Sequence, residues 1–154
     1  MNNGLVVDAC GRTSDTAIFA AGDCAVCRTA DGGWRRLESV HSAVEQARSA
    51  AAALLGRERP FVATPWFYSD QHDVKLQILG LSRGSDKSVI RGSLDQDRFS
   101  IFYYRGDSLI AVDTMNQPAE HMVMRKLFDG QRLPTPQQAA DPAFELKNLL
   151  AAAG

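Results

Sequence analysis

The sequence is poor in the features that mark secreted, membrane-spanning or highly charged proteins. It has 3 cysteines among 154 residues, an odd number too small for a disulfide framework, which favours a reducing cytoplasm. Its 17 basic and 18 acidic residues give a net charge of -1, which indicates neither nucleic acid nor anionic membrane as a partner. The apolar run at residues 50–55 is too short to span a bilayer, and the first residues show no signal-peptide pattern. We therefore expect a cytoplasmic protein that binds neither nucleic acid nor membrane.

The chain changes character near residue 60, which divides it into residues 1–59 and 60–154. Short apolar runs at residues 5–7 and 18–21 predict two strands in the first part. Two or three short strands and one helix cannot bury their apolar faces on one another alone. The first part therefore does not look complete by itself: it is expected to be a fragment of something larger or to need a partner.

One helix is clearly predicted in this first part. Apolar residues recur at helical spacing and define one face, namely Val40, Val44, Ala47, Ala51, Leu54 and Leu55. Ser39 can cap the helix, or Ser42 can form a capping box with Glu45 one turn later, and Gly56 ends it. The many alanines indicate that the helix packs closely against another stretch of backbone.

The second part contains the alternation of apolar and polar residues that half-buried strands show. We predict strands at residues 74–78, 88–91, 99–104 and 108–114, and helices at residues 118–128 and 143–153. Gly106 and Asp107 suit a tight hairpin turn, and strands connected so closely must be antiparallel. The predicted fold class is α+β: a C-terminal antiparallel sheet with flanking helices, preceded by the incomplete first part.

Two short motifs suggest metal or redox chemistry but have simpler explanations. Cys24 and Cys27 have the spacing of half a zinc site or of a redox pair, yet the sequence has no second pair to complete a site. Asp70, His72 and Asp73 resemble metal ligands, although a strand would place only two of them on one face. We therefore predict no metal site and no catalytic acid, base or nucleophile.

Two other features point towards a ligand. Asp23 directly follows Gly22 at the end of the apolar run 18–21, where a carboxylate serves either its own turn or a bound molecule. Trp66 and Tyr68 lie on the same side of an extended segment and can flank a planar ligand, whereas Phe67 between them is expected in the core.

Taken together, these segments resemble a known family. One stretch looks like the second FAD-binding motif of flavoproteins with two dinucleotide-binding domains, RTSDTAIFAAGDCA. The following stretches are similar to the C-terminal part of FAD-dependent ferredoxin and rubredoxin reductases, the putidaredoxin-reductase-like flavoproteins that include the reductase components of aromatic-ring dioxygenases: RRLESVHSAVEQARSAAAALLG, PWFYSDQHDVKLQILGLS, VIRGS and FSIFYYRGDSLIAVDTMN. The resemblance covers nearly the whole chain.

The resemblance implies roles for three residues. Residues 1–59 would be the incomplete C-terminal segment, a remnant, of an α/β FAD-binding domain, and residues 60–154 the reductase C-terminal α+β domain. The carboxylate of Asp23 would accept hydrogen bonds from the ribityl part of FAD. The main chain at Val40, at the start of the helix, would bind the O2 edge of the flavin. Tyr68 occupies an aromatic position near the flavin that is usually Trp in the family.

The resemblance also implies a function. Such a chain would be part of an oxidoreductase that passes electrons from NAD(P)H through FAD to a ferredoxin or rubredoxin, and would be inactive alone because the nicotinamide domain and most of the FAD site are absent. Arg48 is a candidate contact for an acidic ferredoxin. The alternative is a non-catalytic interaction or dimerisation module that keeps the reductase fold and forms a homo-oligomer through the helix of residues 40–55.

Overall fold

The computed structural model describes residues 3–28, 33–62 and 64–151. The chain forms two compact units, Met1–Pro65 and Trp66–Gly154. Within the described residues, no helix is both long and apolar enough to cross a bilayer.

The first unit holds three short strands and one long helix. Strands β1 (Leu5–Val7) and β2 (Ala25–Arg28) are parallel, and β3 (Trp34–Arg35) pairs antiparallel with β2. Helix α1 spans Val40–Leu54. The small core beneath the strands consists of Val7, Ala20 and Ala25.

The strand predicted at residues 18–21 is wrong. The Asp15 carboxylate accepts a 2.9 Å hydrogen bond from the Ala17 N–H, and the Thr13 hydroxyl donates to the Ile18 carbonyl at 3.1 Å. These local side-chain bonds hold the segment in a turn, because they use backbone groups that a strand would need. Within this segment Phe19 forms one isolated β-bridge, with Arg12. The next strand along the chain is β2.

Helix α1 begins as predicted but buries the opposite face. Ser39 is its N-cap and accepts a 3.2 Å hydrogen bond from the Ser42 N–H, so the first of the two capping alternatives is correct. The buried residues are small or polar: Ser42, Gln46, Ser49, Ala50 and Ala53. The predicted apolar face is instead exposed, with Val40, Val44, Leu54 and Leu55 between 41% and 74% accessible.

The inversion follows from what α1 packs against. The Ser49 hydroxyl lies 3.1 Å from the Ala9 carbonyl and 2.5 Å from the Arg59 carbonyl. A Cβ on Gly11 would lie 3.0 Å from the Ala50 Cβ, so this approach is close, as the alanines indicated. Loop backbone presents polar groups that need partners, and short hydroxyl and methyl side chains meet that need better than Val or Leu.

The second unit is built on a five-stranded antiparallel sheet, which confirms the predicted fold class. The strand order is β4-β5-β8-β7-β6. The strands are β4 (Trp66–Gln71), β5 (Val74–Gly80), β6 (Lys87–Ser93), β7 (Arg98–Arg105) and β8 (Ser108–Met115). Strands β5 to β8 match the four predicted ones, and Gly106 and Asp107 form the β7–β8 turn. Strand β4 was expected only as an extended segment.

Three helices accompany this sheet. Helix α2 (Pro118–Asp129) confirms the prediction, and α3 (Pro136–Ala140) and α4 (Asn148–Ala151) follow it. Helices α2 and α3 contact the strands of the sheet, and α4 contacts α2. The core lies between sheet and helices and includes Leu79, Phe102, Tyr104, Val112, Met124 and Leu127.

The single terminal helix predicted at residues 143–153 is wrong within the described residues, and residues 152–154 lie outside them. The earlier turn α3 forms because Thr135 and Gln138 make a reciprocal capping box and Pro136 occupies the first helical position. Proline is favoured there since its missing N–H would have no helical acceptor.

Candidate functional site

Asp23 lies on a 3-10 turn, Gly22–Cys24, that is attached to α1. The Gly22 N–H donates a buried 2.8 Å hydrogen bond to the side-chain oxygen of Gln46. Gly22 has a φ of +78°, and a Cβ there would lie 3.4 Å from the Ala43 Cβ, so the turn sits against the first two turns of the helix. The exposed Asp23 side chain has no hydrogen bond or ion pair among the described residues. The fold therefore presents a free carboxylate beside α1.

The N-terminal end of α1 is the second part of this site. The first N–H groups of a helix have no carbonyl acceptor within it, and they carry the positive end of the helix dipole. Ser39 accepts from the Ser42 N–H, but Val40, the first helical residue, has no such acceptor in the helix. Its side chain is 63% exposed. This end of α1 can therefore bind a carbonyl oxygen or an anion.

A charged cluster lies on the exposed side of the same helix. Glu45 accepts from Arg48 at 2.5 Å and from Arg59 at 3.0 Å. The hydrogen bond from Arg48 lowers the pKa of Glu45 below its usual value. Two guanidinium groups around one carboxylate leave a net positive charge, and the Arg48 side chain is 59% exposed.

Tyr68 lies on β4 in the second unit, and the residue is 55% exposed. Its centroid is 5.8 Å from that of Trp66, at an interplanar angle of 33°. Trp66 also packs against the core of the second unit. The expectation for Phe67 is wrong, because the pleat of β4 turns the half-buried Phe67 to the face opposite Trp66.

Two residues of α2 contact the Trp66 ring. The Arg125 guanidinium lies 4.6 Å from its centroid, and the His121 ring lies 6.0 Å from it. His121 is 1% exposed, and neither ring nitrogen has a hydrogen-bond partner. Burial lowers the pKa of His121 to about 4, so the ring is neutral at neutral pH.

The cysteines form no metal or redox centre in the described part of the chain. Cys10, Cys24 and Cys27 are free thiols, and no group of three potential metal ligands occurs among the described residues. Burial raises the pKa of Cys27, which keeps it in the less reactive thiol form. Cys24 is exposed on the same turn as Asp23, and its sulfur contacts the Ala21 carbonyl at 3.4 Å.

Two of the three predicted site residues lie on elements that contact each other. The turn that carries Asp23 is in contact with the helix that begins at Val40, both in the first unit. Tyr68 belongs to the second unit, where its surroundings are Trp66 and, through Trp66, α2.

Family models match both units. The model described as Reductase C-terminal matches residues 66–150, and the model described as pyridine nucleotide-disulphide oxidoreductase matches residues 1–47. The chain belongs to the Reductase C-terminal family. The family match begins at the residue where the second compact unit begins.

Curated relatives resemble the chain along almost its whole length. Rhodocoxin reductase of Rhodococcus erythropolis is 45% identical over 152 residues, which are 98% of this chain and 36% of the relative. Putidaredoxin reductase CamA of Pseudomonas putida is 43% identical over 154 residues, which are 99% of this chain and 36% of the relative. The chain therefore spans only about a third of the length of these relatives.

Solved structures agree with this match. The ferredoxin reductase for the CYP199A2 system from Rhodopseudomonas palustris has a TM-score of 0.89 and 46% identity, covering 97% of this chain and 37% of that one. The covalent putidaredoxin reductase–putidaredoxin complex has a TM-score of 0.90 and 42% identity, covering 99% of this chain and 37% of that one. This Reductase C-terminal chain therefore has the fold of a segment of these longer reductases.

Sequence reasoning missed three residues that shape these sites. Gln46 stands out as an amide among alanines, and an amide buried on a helix face needs a partner, so its bond to Gly22 could have been suspected. His121 and Arg125 are one helical turn apart and therefore share a face of α2. Nothing in the sequence pairs that face with Trp66, because the contact depends on how α2 crosses the sheet.

Proposed function

We propose that the chain is the C-terminal portion of an FAD-dependent NAD(P)H:ferredoxin or rubredoxin oxidoreductase. Residues 1–59 would complete its FAD-binding domain, and residues 60–154 would form its reductase C-terminal domain. The observation that carries this proposal is the free Asp23 carboxylate on a turn bound to α1, the helix that begins at Val40. The names of the relatives, which are reductases of rhodocoxin and putidaredoxin, support it.

The residues present suit FAD. An ionised carboxylate is a strong acceptor for the hydroxyl groups of a ribityl chain, and Asp23 has its full accepting capacity available among the described residues. The N-terminus of α1 suits the O2 edge of the flavin, because its positive end favours negative charge there. Tyr68 offers an exposed aromatic face for a position beside the flavin. FAD, when bound, would accept hydride from NAD(P)H and release single electrons.

On this proposal the chain supplies binding and orientation, with no side chain acting as acid or base. Alone it would be inactive and colourless, since Asp23, Val40 and Tyr68 give too few contacts to offset the entropic cost of holding FAD. Arg48 would contact an acidic ferredoxin, because it is exposed and belongs to a cluster with net positive charge. The protein would work in the cytoplasm.

A chimera tests the proposal directly. The N-terminal part of rhodocoxin reductase that this chain does not match is fused to the chain, and the flavin absorbance bands and NADH-dependent reduction of rhodocoxin are measured. We expect a yellow, active chimera. Asp23→Asn should lower flavin content, whereas Asp15→Asn, an exposed acid in the same segment, should leave it unchanged. A folded chimera that takes up no flavin would refute the proposal.

A second candidate is a non-catalytic interaction or dimerisation module derived from the reductase fold. The observation that favours it is the exposed apolar face of α1, where Val40 is 63% and Leu54 is 65% accessible. A large exposed apolar patch seldom remains uncovered in a stable protein. This candidate predicts that both the chain and the chimera stay colourless with added FAD and that the chain forms a homo-oligomer through residues 40–55.

A further inference from the structure

Trp66 is held between its own strand and a helix. It is the first residue of β4, which among the described strands pairs with β5 alone and is therefore an edge strand, and Trp66 lies opposite Leu79. The end of an edge strand has ladder bonds on one side only, so it frays unless its side chains are held by packing. Contacts from outside the strand must therefore fix the Trp66 ring.

Helix α2 provides these contacts from two positions one turn apart. His121 is buried without a hydrogen-bond partner for either ring nitrogen, and its ring centroid lies 6.0 Å from that of Trp66. Arg125 places its guanidinium 4.6 Å from the same centroid, well within the distance at which a cation is attracted to an aromatic face. Among the described residues no carboxylate lies within ion-pair distance of Arg125, so the ring is its principal partner.

Tyr68 depends on Trp66 for its orientation. It lies two residues further along β4, on the same face, and the residue is 55% exposed. The ring contact of Tyr68 within the described residues is the one with Trp66, at 5.8 Å. A tilt of the indole would therefore be transmitted to the tyrosine ring.

We propose that Arg125 is a positioning residue: through its contact with the Trp66 ring it fixes the orientation of Tyr68. The inference rests on the proposed function, which places Tyr68 beside the flavin, and it adds Trp66 and Arg125 to the residues that shape that contact. Arg125 itself need not touch the cofactor. Its role is to keep an exposed aromatic ring in one orientation before the ligand arrives, which lowers the entropy lost on binding.

The test uses the whole chain without FAD and measures, by near-ultraviolet circular dichroism, the interaction between the Trp66 and Tyr68 rings. The chain has 2 tryptophans, so Trp34→Phe leaves Trp66 as the only indole. In that background, the near-ultraviolet circular dichroism band lost on Tyr68→Leu defines the signal of the Trp66–Tyr68 pair. We expect Arg125→Met, which removes the charge but retains the chain length, to abolish most of that band. Arg125→Lys should retain it.

The control is Lys126→Met, the same loss of charge at the adjacent exposed position of α2. It should leave the band intact, as should any change that affects only helix stability. If Arg125→Met does not fold, Arg125→Gln takes its place. A folded Arg125→Met or Arg125→Gln protein with an unchanged band would overturn the inference. Because this measurement needs no flavin, it is separate from the chimera experiment, whose failure would refute the proposed function alone.

Discussion

At the scale of single residues, Arg91 joins three parts of the second unit. It lies on β6 with its side chain only 14% exposed, and it donates to the Glu120 carboxylate of α2 at 3.2 Å. Its other N–H groups bind main-chain carbonyls of α3 and the segment after it, at Ala139, Asp141, Pro142 and Phe144. The planar five-donor geometry of arginine suits this fan of acceptors, which lysine could not match.

Replacing Arg91 should therefore destabilise the protein strongly. Arg91→Met leaves the largely buried Glu120 carboxylate without its donor and removes one donor from each of the four carbonyls, and we expect a loss of about 3 to 5 kcal/mol in the free energy of unfolding. Arg91→Lys should lower the free energy of unfolding by a smaller amount than Arg91→Met. Urea denaturation measures both, with Arg98→Met as control, because Arg98 is exposed on the neighbouring strand and should change stability by less than about 0.5 kcal/mol. Equal effects of the two methionine variants would contradict this role for Arg91.

His121 should make the stability depend on pH. Burial, and to a smaller extent the positive charge of Arg125, lower its pKa from 6.5 to about 4. Between these two pH values the unfolded chain binds a proton that the folded chain does not. The contribution of His121 to stability is therefore complete above pH 6.5 and is lost as the pH falls towards 4, by at most about 3 kcal/mol.

Denaturation at a series of pH values, compared between variants, isolates this effect from the carboxylates that titrate nearby. His121→Gln should flatten the decline between pH 6.5 and 4, because glutamine does not titrate. His72→Asn should leave the decline as it is, since His72 is exposed in the β4–β5 turn. A decline that persists unchanged in His121→Gln would assign it to other groups.

At the scale of elements, the strands of the second unit were predictable and the face of α1 was not. In β7, buried residues such as Phe102 and Tyr104 alternate with less buried neighbours. A strand that is buried on one face therefore shows an apolar residue at every second position of the sequence. In α1 the sequence also shows a clear apolar stripe, but burial follows the partner surface. That surface is loop backbone, whose carbonyl and N–H groups hydrogen-bond to Ser49 and Gln46, whereas Val44 could offer them no partner.

Substitutions at two glycines should distinguish the destabilisation caused by a positive φ from that caused by a steric clash of the added Cβ. Gly80, the last residue of β5, has a φ of +78°, and a Cβ there would lie 2.2 Å from the Ile110 carbonyl oxygen. Gly106 in the β7–β8 turn has a φ of +58° but open space around it. Gly106→Ala should cost only the conformational strain, about 1 to 2 kcal/mol, whereas Gly80→Ala should cost about 3 kcal/mol or more. Thermal denaturation compares them, and similar losses would show that the contact at Gly80 relaxes freely.

At the scale of the whole molecule, the order of motifs identified the family, but the site was only partly predictable. Asp23 was singled out from the Gly-Asp pair, although the element that carries it is a 3-10 turn and no strand. The support of Tyr68 by Arg125 could not be predicted, because it joins residues far apart in the chain through the packing of α2. A single sequence shows which residue types are adjacent in the chain, but it does not show which distant helices and strands pack against each other.

The exposed apolar residues of α1 lead us to predict that the chain self-associates. The isolated chain should self-associate with rising concentration, because Val44 and Leu54 leave apolar surface in water. The double variant Val44→Glu with Leu54→Glu should weaken association at least about tenfold, since a charge buried in an apolar interface costs more than 1.4 kcal/mol. Both side chains are exposed, so the fold should tolerate the change. Sedimentation equilibrium measures the association, and Met122→Glu on α2 is the matched control.

The same measurement on the chimera separates the two proposed functions. If the chain is part of a reductase, the fused N-terminal part should cover the apolar face of α1, and the chimera should remain a monomer where the chain alone associates. If the chain is a dimerisation module, both proteins should associate, and the two glutamates should disrupt both. A chain that stays monomeric at every concentration would instead show that this face tolerates water, and the dimerisation module would then lose the observation that favours it.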